Sequence, residues 1–396
     1  MTKLSILLRN DSDKPSRTIE IHVPPLVSIF ERLGDWRKRR GRVYQLAALL
    51  IVMLAGLMCG KRGLRPISRW CRKLPRRIRT AMGLRPGRSP SHPMLSRLLR
   101  NLDRDELERE IRLWLEVVNE QLAQMGIRLR IAIDGKTLRG AVKRGAEVEQ
   151  LLAAVSQQLP LVLAEIAVAK GSNEITAILP LLKQLVLEGR LVTVDALLTQ
   201  REVAQAIMDG GGDYLMYAKD NQPQLRQDIA WCFESVPLAG EVRGQARLEN
   251  KKHGRWEVRE IVTSSALKEY LDWPGVEQVM QVTRTVTILK TGQTTKKTVY
   301  ALTSLPAACA DPLQLLRANR GHWIIENGVH WVRDVTLGED ACGVHTGTAP
   351  QVFAALRNLM LSLFRLIGYT SIAAAIDFCS AQPALALRSM GVSIGP

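Results

Sequence analysis

The spacing of apolar residues changes its period along the chain. From Leu26 to about Ile127 it is helical, with apolar side chains returning every three or four positions. This predicts a helix to Leu33, an almost wholly apolar one over Leu46–Cys59, another around Ile67–Trp70 and a long one from Asp105 through Leu122. Ser89-Pro90-Ser91 offers a start for HPMLSRLLRNLD, because a hydroxyl caps free amides and proline suits a first turn. From Leu129 the runs become short and β-branched: LRIAID, LVLAEIAV, LVTVD and DYLMYAK. Between the last three lie ITAILPLLKQLVLEG and LLTQREVAQAIMDGG, predicted helices that end on glycine. Strands alternating with helices predict an α/β domain whose sheet is covered on its faces.

Residues 220–311 break that rhythm. RLENKKHGRWEVREIVTSS, VEQVMQVTRTVTILKTG and TTKKTVYALTSL predict a β-rich insertion, and helical spacing returns in DPLQLLRANRGHW and APQVFAALRNLMLSLFRLIG. The expected order is a flexible leader (1–24), a basic all-helical domain (25–127), the first part of an α/β core (128–219), the β-rich insertion (220–311), and completion of the core with C-terminal helices (312–396).

Charge sharpens this division. Residues 1–127 hold 26 Lys and Arg against 12 Asp and Glu, which leaves +3 of the total +17 to the remainder. No acid stands between Arg37 and Asp103, while bases recur at Arg37, Arg39, Arg40, Arg76 and Arg77. Such a one-signed surface attracts polyanions by releasing condensed counterions, so DNA or RNA is the expected partner. The run Leu46–Cys59 has 14 residues, short of the roughly 20 a bilayer crossing needs, and reads as a buried helix rather than a membrane anchor. The six cysteines show no CxxC pair, so neither a zinc module nor a disulfide frame is expected. With no signal-peptide pattern, a cytoplasmic, nucleoid-associated protein is expected.

The candidate chemistry lies in three acids. Asp134 ends IAID and Asp195 ends LVTVD, each after an apolar strand, and Glu326 lies in the helical stretch NRGHWIIENGVHWVRD. Carboxylates delivered in this way suit two hard divalent cations and phosphodiester chemistry. Each also has an ordinary reading: a hairpin turn for Asp134-Gly135, a helix cap for Asp195, a solvated helix position for Glu326. Helical spacing places His322, Glu326, His330 and Arg333 on one face. Glu339 and Asp340 are rivals for the third carboxylate.

The stretches IDGKTLRG, SNEI, VDALLTQ, GGDYLMYAKDNQPQL, HGRWEVRE, WPGVEQV and RGHWIIENGVHWVRDVTLGEDA resemble the DDE transposases of bacterial insertion sequences, in the family that includes H-repeat-associated proteins. DWRKRRGRVYQLAALL and PSHPMLSRLLRNLD resemble that family's N-terminal associated domain. The resemblance implies an RNase H-like core in which Asp134, Asp195 and Glu326 hold two Mg²⁺ (or Mn²⁺) ions. It further implies cleavage at the inverted-repeat ends of an element and joining of the freed 3′-hydroxyls to target DNA, by a homodimer or higher assembly on double-stranded DNA. Lys136, Lys219, Asn221, Gln222, His322 and Arg333 are then expected at the DNA, together with the N-terminal arginines. The chain departs from the family pattern at Asn319, His322, Asp220, Gly343 and His345. The alternatives are a catalytically inactive DNA-binding descendant, or an RNase H-like nuclease without strand transfer.

Overall fold

The structure is a computed structural model that describes residues 2–8, 17–138, 150–168, 171–344 and 346–395. His345 lies outside the described residues. The chain divides into two compact units, one of residues 1–128, 135–172 and 324–396 and the other of 129–134 and 173–323.

In the first unit, β1 (Thr2–Leu8) and β2 (Arg17–Val23) pair antiparallel, and Leu4, Ile6, Ile19, Ile21 and Val23 are buried. The expectation of a flexible leader is corrected here: LSI and TIEIHV alternate strictly, and the apolar face of such a pair can be buried. Six helices follow: α1 (Leu26–Arg32), α2 (Leu46–Met58), α3 (Leu64–Lys73), α4 (Arg76–Ala81), α5 (His92–Asn101) and α6 (Arg104–Gln124). Every residue of α2 is buried. Ser91 caps α5 by accepting from the Met94 amide, and Asp103 caps α6 by accepting from the Glu106 amide. The unit also holds the antiparallel strands β4 (Gln150–Ser156) and β5 (Val162–Val168). QLLAAVS has no period of two because both its faces are enclosed, which is why its spacing did not announce β4.

The second unit is built on β3 (Ile131–Thr137), β6 (Leu191–Val194) and β7 (Asp213–Ala218), of which β3 and β6, and β6 and β7, pair parallel. The helices α7 (Glu174–Leu182) and α8 (Arg201–Asp209) connect them. Both are shorter than their apolar spacing predicts. Asn173 caps the start of α7, and the residues before Arg201 are drawn into a turn at Asp195. After α9 (Pro223–Glu234) come β8 (Arg243–Lys252), β9 (Arg255–Ser264), β10 (Gln278–Ile288) and β11 (Thr294–Thr303), then α10 (Pro312–Gly321). These four strands continue the core sheet rather than forming a separate one, because β11 pairs antiparallel with β7. Within the second unit the hydrogen-bonded order is β3-β6-β7-β11-β10-β9-β8. The fold is of the α/β, RNase H-like class expected, with the antiparallel extension added at the β7 edge.

The chain continues beyond α10 through two π-helical turns, Glu326–His330 and Val332–Thr336, and ends with α11 (Ala349–Leu366), α12 (Ile372–Ala381) and α13 (Pro383–Ser389). α11 is almost entirely buried and packs on α2 and β5. No described helix is long and apolar enough to cross a membrane.

Candidate active site

Ile133 of β3 pairs with Val194 of β6, so the next residues stand abreast: Asp134 lies within β3, which runs on to Thr137, and Asp195 directly follows β6. Parallel neighbours lie about 4.8 Å apart. Both aspartates are half-buried.

The loop carrying Asp195 is held from several sides. One carboxylate oxygen of Asp195 accepts from the Leu198 amide at 3.1 Å. The Thr199 hydroxyl lies 3.1 Å from the Asp195 carbonyl and 2.8 Å from that of Tyr217. Asn221 donates to the Ala196 carbonyl at 2.5 Å, and Gln222 to the Thr199 carbonyl at 3.1 Å. Two residues expected at DNA therefore tie the loop after β7 to the loop that presents Asp195. Glu174, at the start of α7, has its carboxyl pushed up by burial and by the charge of Asp195. Sequence spacing alone did not single it out, although SNEI carried it.

His322 also has a structural role. Its Nδ1 lies 2.9 Å from the Thr193 hydroxyl and its ring 5.7 Å from that of Tyr217. Burial, then the charge of Lys219, lowers its pKa to about 4. An enclosed imidazole hydrogen-bonded to Thr193 is not open to a phosphate, so its expected DNA contact is corrected. Lys219 is exposed beyond the end of β7, its Nζ 5.9 Å from the Tyr217 ring.

In the first unit, Glu326 is exposed on the first π-helical turn, and one of its oxygens lies within 4.8 Å of a ring nitrogen of buried His330. Burial, then Arg333 and Lys136, lowers the His330 pKa to about 3. Arg333 is wholly enclosed. It donates to Glu165 at 2.5 Å, to Glu339 at 2.7 and 3.1 Å and to Asn358 at 3.2 Å, while Arg357 donates to Glu339 at 2.9 Å. Two arginines and two glutamates thus neutralise one another in the interior. Arg333 is not a phosphate ligand, and Glu339 is not a rival third carboxylate but a member of this set. Burial works to raise the Glu339 carboxyl, yet Arg333 and Arg357 hold it down to about 2. Lys136 is buried against Asp334 at 2.5 Å, which corrects its expected role as well. Asp340 is half-buried.

Among the N-terminal bases, Arg39, Arg40, Arg76 and Arg77 are exposed, as are Arg65, Arg69, Arg72 and Lys73 of α3. Arg37 instead binds Asp35 at 2.8 Å and the Tyr44 carbonyl at 2.9 Å, fastening the turn before α2.

A family described as "Transposase DDE domain" matches residues 126–363, and one described as "DDE_Tnp_1-associated" matches 27–115. The chain belongs to the transposase DDE domain family. Among similar proteins, the "H repeat-associated putative transposase YhhI" of Escherichia coli strain K12 is 32% identical over 242 residues, 59% of this chain and 63% of YhhI. YbfL of the same strain is 33% identical over 242 residues, with the same coverage of 59% and 63%. YncI of Escherichia coli O157:H7, also named as a transposase, is 30% identical over 285 residues, 70% of this chain and 71% of that one. The match therefore spans less than two thirds of YhhI and YbfL. A solved structure of piggyBac transposase in a synaptic complex with hairpin DNA has a TM-score of 0.39 at 12% identity, over 94% of this chain and 74% of that one, a likeness too distant to weigh.

Proposed function

We propose that this protein is a DNA transposase that cuts at the ends of its own element and joins them to target DNA. In this reading Asp134, Asp195 and Glu326 hold two divalent cations, Mg²⁺ or Mn²⁺. The observation that carries it is the pair of aspartates abreast, Asp134 within β3 and Asp195 directly after the parallel strand β6. Three carboxylates are the donor set that hard cations prefer, and bound cations would activate the attacking oxygen and stabilise the leaving one. The chain's own residues supply positioning. Thr199, Asn221 and Gln222 fix the Asp195 loop, and Glu174 adds negative charge beside it that a cation would relieve. Exposed arginines of α3 and α4, with Arg39 and Arg40, would hold duplex DNA through its phosphates, and Lys219 would meet it near the aspartates. Two element ends must be joined, so a homodimer or higher assembly on DNA belongs to the same reading.

The test uses Asp134→Asn, Asp195→Asn and Glu326→Gln on a duplex bearing the element's end. Each should reduce metal-dependent cutting below detection and leave duplex binding within about twofold, since a ligand charge is lost without a change of shape. Joined product in the parent supports transposition, and nicks without joining would reduce the activity to that of a nuclease. A variant that cuts at the parent rate removes its residue from the site.

A further inference from the structure

The antiparallel extension of the sheet is longer than the strands it joins. The last pair between β7 and β11 is Ala218 with Tyr300, while β11 begins at Thr294. Thr294–Val299 therefore runs on beyond the end of β7, about 20 Å at 3.3 Å per residue. β10, β9 and β8 overhang with it, in unbroken register to the two-residue turn His253-Gly254, where φ is 52° and 71°. Because β3, β6 and β7 are parallel, the overhang projects past the end of the sheet that carries Asp134 and Asp195. β11 lies two strands from β6, about 10 Å away.

The overhang has two unlike faces. Directly paired residues share a face, and alternate residues of one strand return to it. One face presents Lys252 opposite Arg255, and a row in which Arg259, Arg284 and Lys297 are neighbours on three strands. Its one acid, Glu257, is bound by Arg259 at 2.7 Å and by Arg284. The other face mixes its signs: Lys251, Lys296 and Arg247 stand with Glu249 and Glu260, and Arg247 reaches both acids at 2.6 and 3.7 Å. Glu257 compensates part of the row, which leaves this face with five cations (Lys252, Arg255, Arg259, Arg284 and Lys297) against one acid. Like charges placed directly opposite, as Lys252 and Arg255 are, cost the free protein stability. An anionic partner relieves that cost.

We propose that the basic face of this overhang, through Lys252, Arg255, Arg284 and Lys297, grips the phosphate backbone of the duplex beside the phosphate under attack. The grip covers roughly six base pairs, the number that fits about 20 Å at 3.4 Å per pair. This inference rests on the transposase reading and adds a second DNA surface, on a different element from the N-terminal helices.

The test uses the full chain and a 30-base-pair duplex of mixed sequence, with binding followed by anisotropy across a salt series. Lys252→Gln/Arg255→Gln/Lys297→Gln should lower the slope of log affinity against log salt by about 2.7, at 0.9 per lost phosphate contact. Arg76→Gln/Arg77→Gln serves as the comparison on the helical domain. In the parent protein, bound duplex should also protect Lys252 and Lys297 from acetylation while Lys251 and Lys296, on the opposite face, stay reactive. A ribbon variant that keeps the parent slope, or equal protection of all four lysines, overturns the grip and leaves the transposase reading standing. A parent that binds duplex without salt dependence overturns both.

Discussion

Replacing Glu339 by Gln removes one of two negative charges from a set of four buried groups that otherwise neutralise one another. Glu339 accepts from Arg333 at 2.7 and 3.1 Å and from Arg357 at 2.9 Å, and its pKa is held at about 2 against an ordinary 4.5. At 1.36 kcal/mol per unit, that shift corresponds to about 3 kcal/mol of stability at neutral pH. The folded value is depressed, so this contribution is fully present above pH 4.5 and is lost as pH falls through about 2. Breaking a buried pair by removing one partner costs about 3–5 kcal/mol, because the other charge stays enclosed. The variant should therefore lose about 3 kcal/mol or more in urea unfolding at pH 7, followed by circular dichroism. Parent and variant should converge as pH falls through about 2, where the parent carboxyl becomes neutral too. A loss below about 1 kcal/mol at pH 7, or a gap that does not narrow in acid, would refute the reasoning.

Three further outcomes are expected. The His322 pKa is lowered to about 4 against an ordinary 6.5, so its contribution is present above pH 6.5 and is lost as pH falls through 4. Thermal unfolding from pH 7 to 4 should show a steeper decline for the parent than for His322→Gln, and parallel curves would contradict this. Asn221→Ala removes the amide held at 2.5 Å from the Ala196 carbonyl. Metal-dependent cutting should fall about 10–100-fold, as for other residues that orient a metal ligand, with duplex binding unchanged; an unaltered cutting rate would show that the Asp195 loop holds its place without it. Chelation of divalent cations should stop cutting and spare binding, whereas cutting that survives chelation would exclude a carboxylate-held cation.

Much of the architecture was legible because period and punctuation agree. Strands β3, β6 and β7 and the helices between them are marked by β-branched runs and terminal glycines, and the two aspartates by their place after apolar runs, although β3 continues past Asp134 to Thr137. What sequence could not show was the enclosure of charged groups. Arg333 shares helical spacing with His322, Glu326 and His330, yet its partners Glu165 and Glu339 come from distant stretches, and no local pattern reports such an ion set. Lys136 and Arg37 were misread for the same reason, since a base looks alike in sequence whether it faces a phosphate or a carboxylate of its own chain. β4 was missed because full burial erases alternation. The overhang of β8–β11 depends on register against β7, which long-range pairing sets.

The set formed by Glu165, Arg333, Glu339 and Arg357 also bears on how the chain is made. Its acid at 165 is synthesised long before either arginine, and α2 waits longer still for α11 to cover it. While the ribosome is still short of position 333, Glu165 lacks its partner Arg333, and α2 has α1 and α3 against it but not the cover of α11. The N-terminal arginines therefore gain their rigid platform only when translation is nearly finished, and a prematurely stopped chain should be cleared by proteases rather than persist as a free-standing DNA-binding fragment.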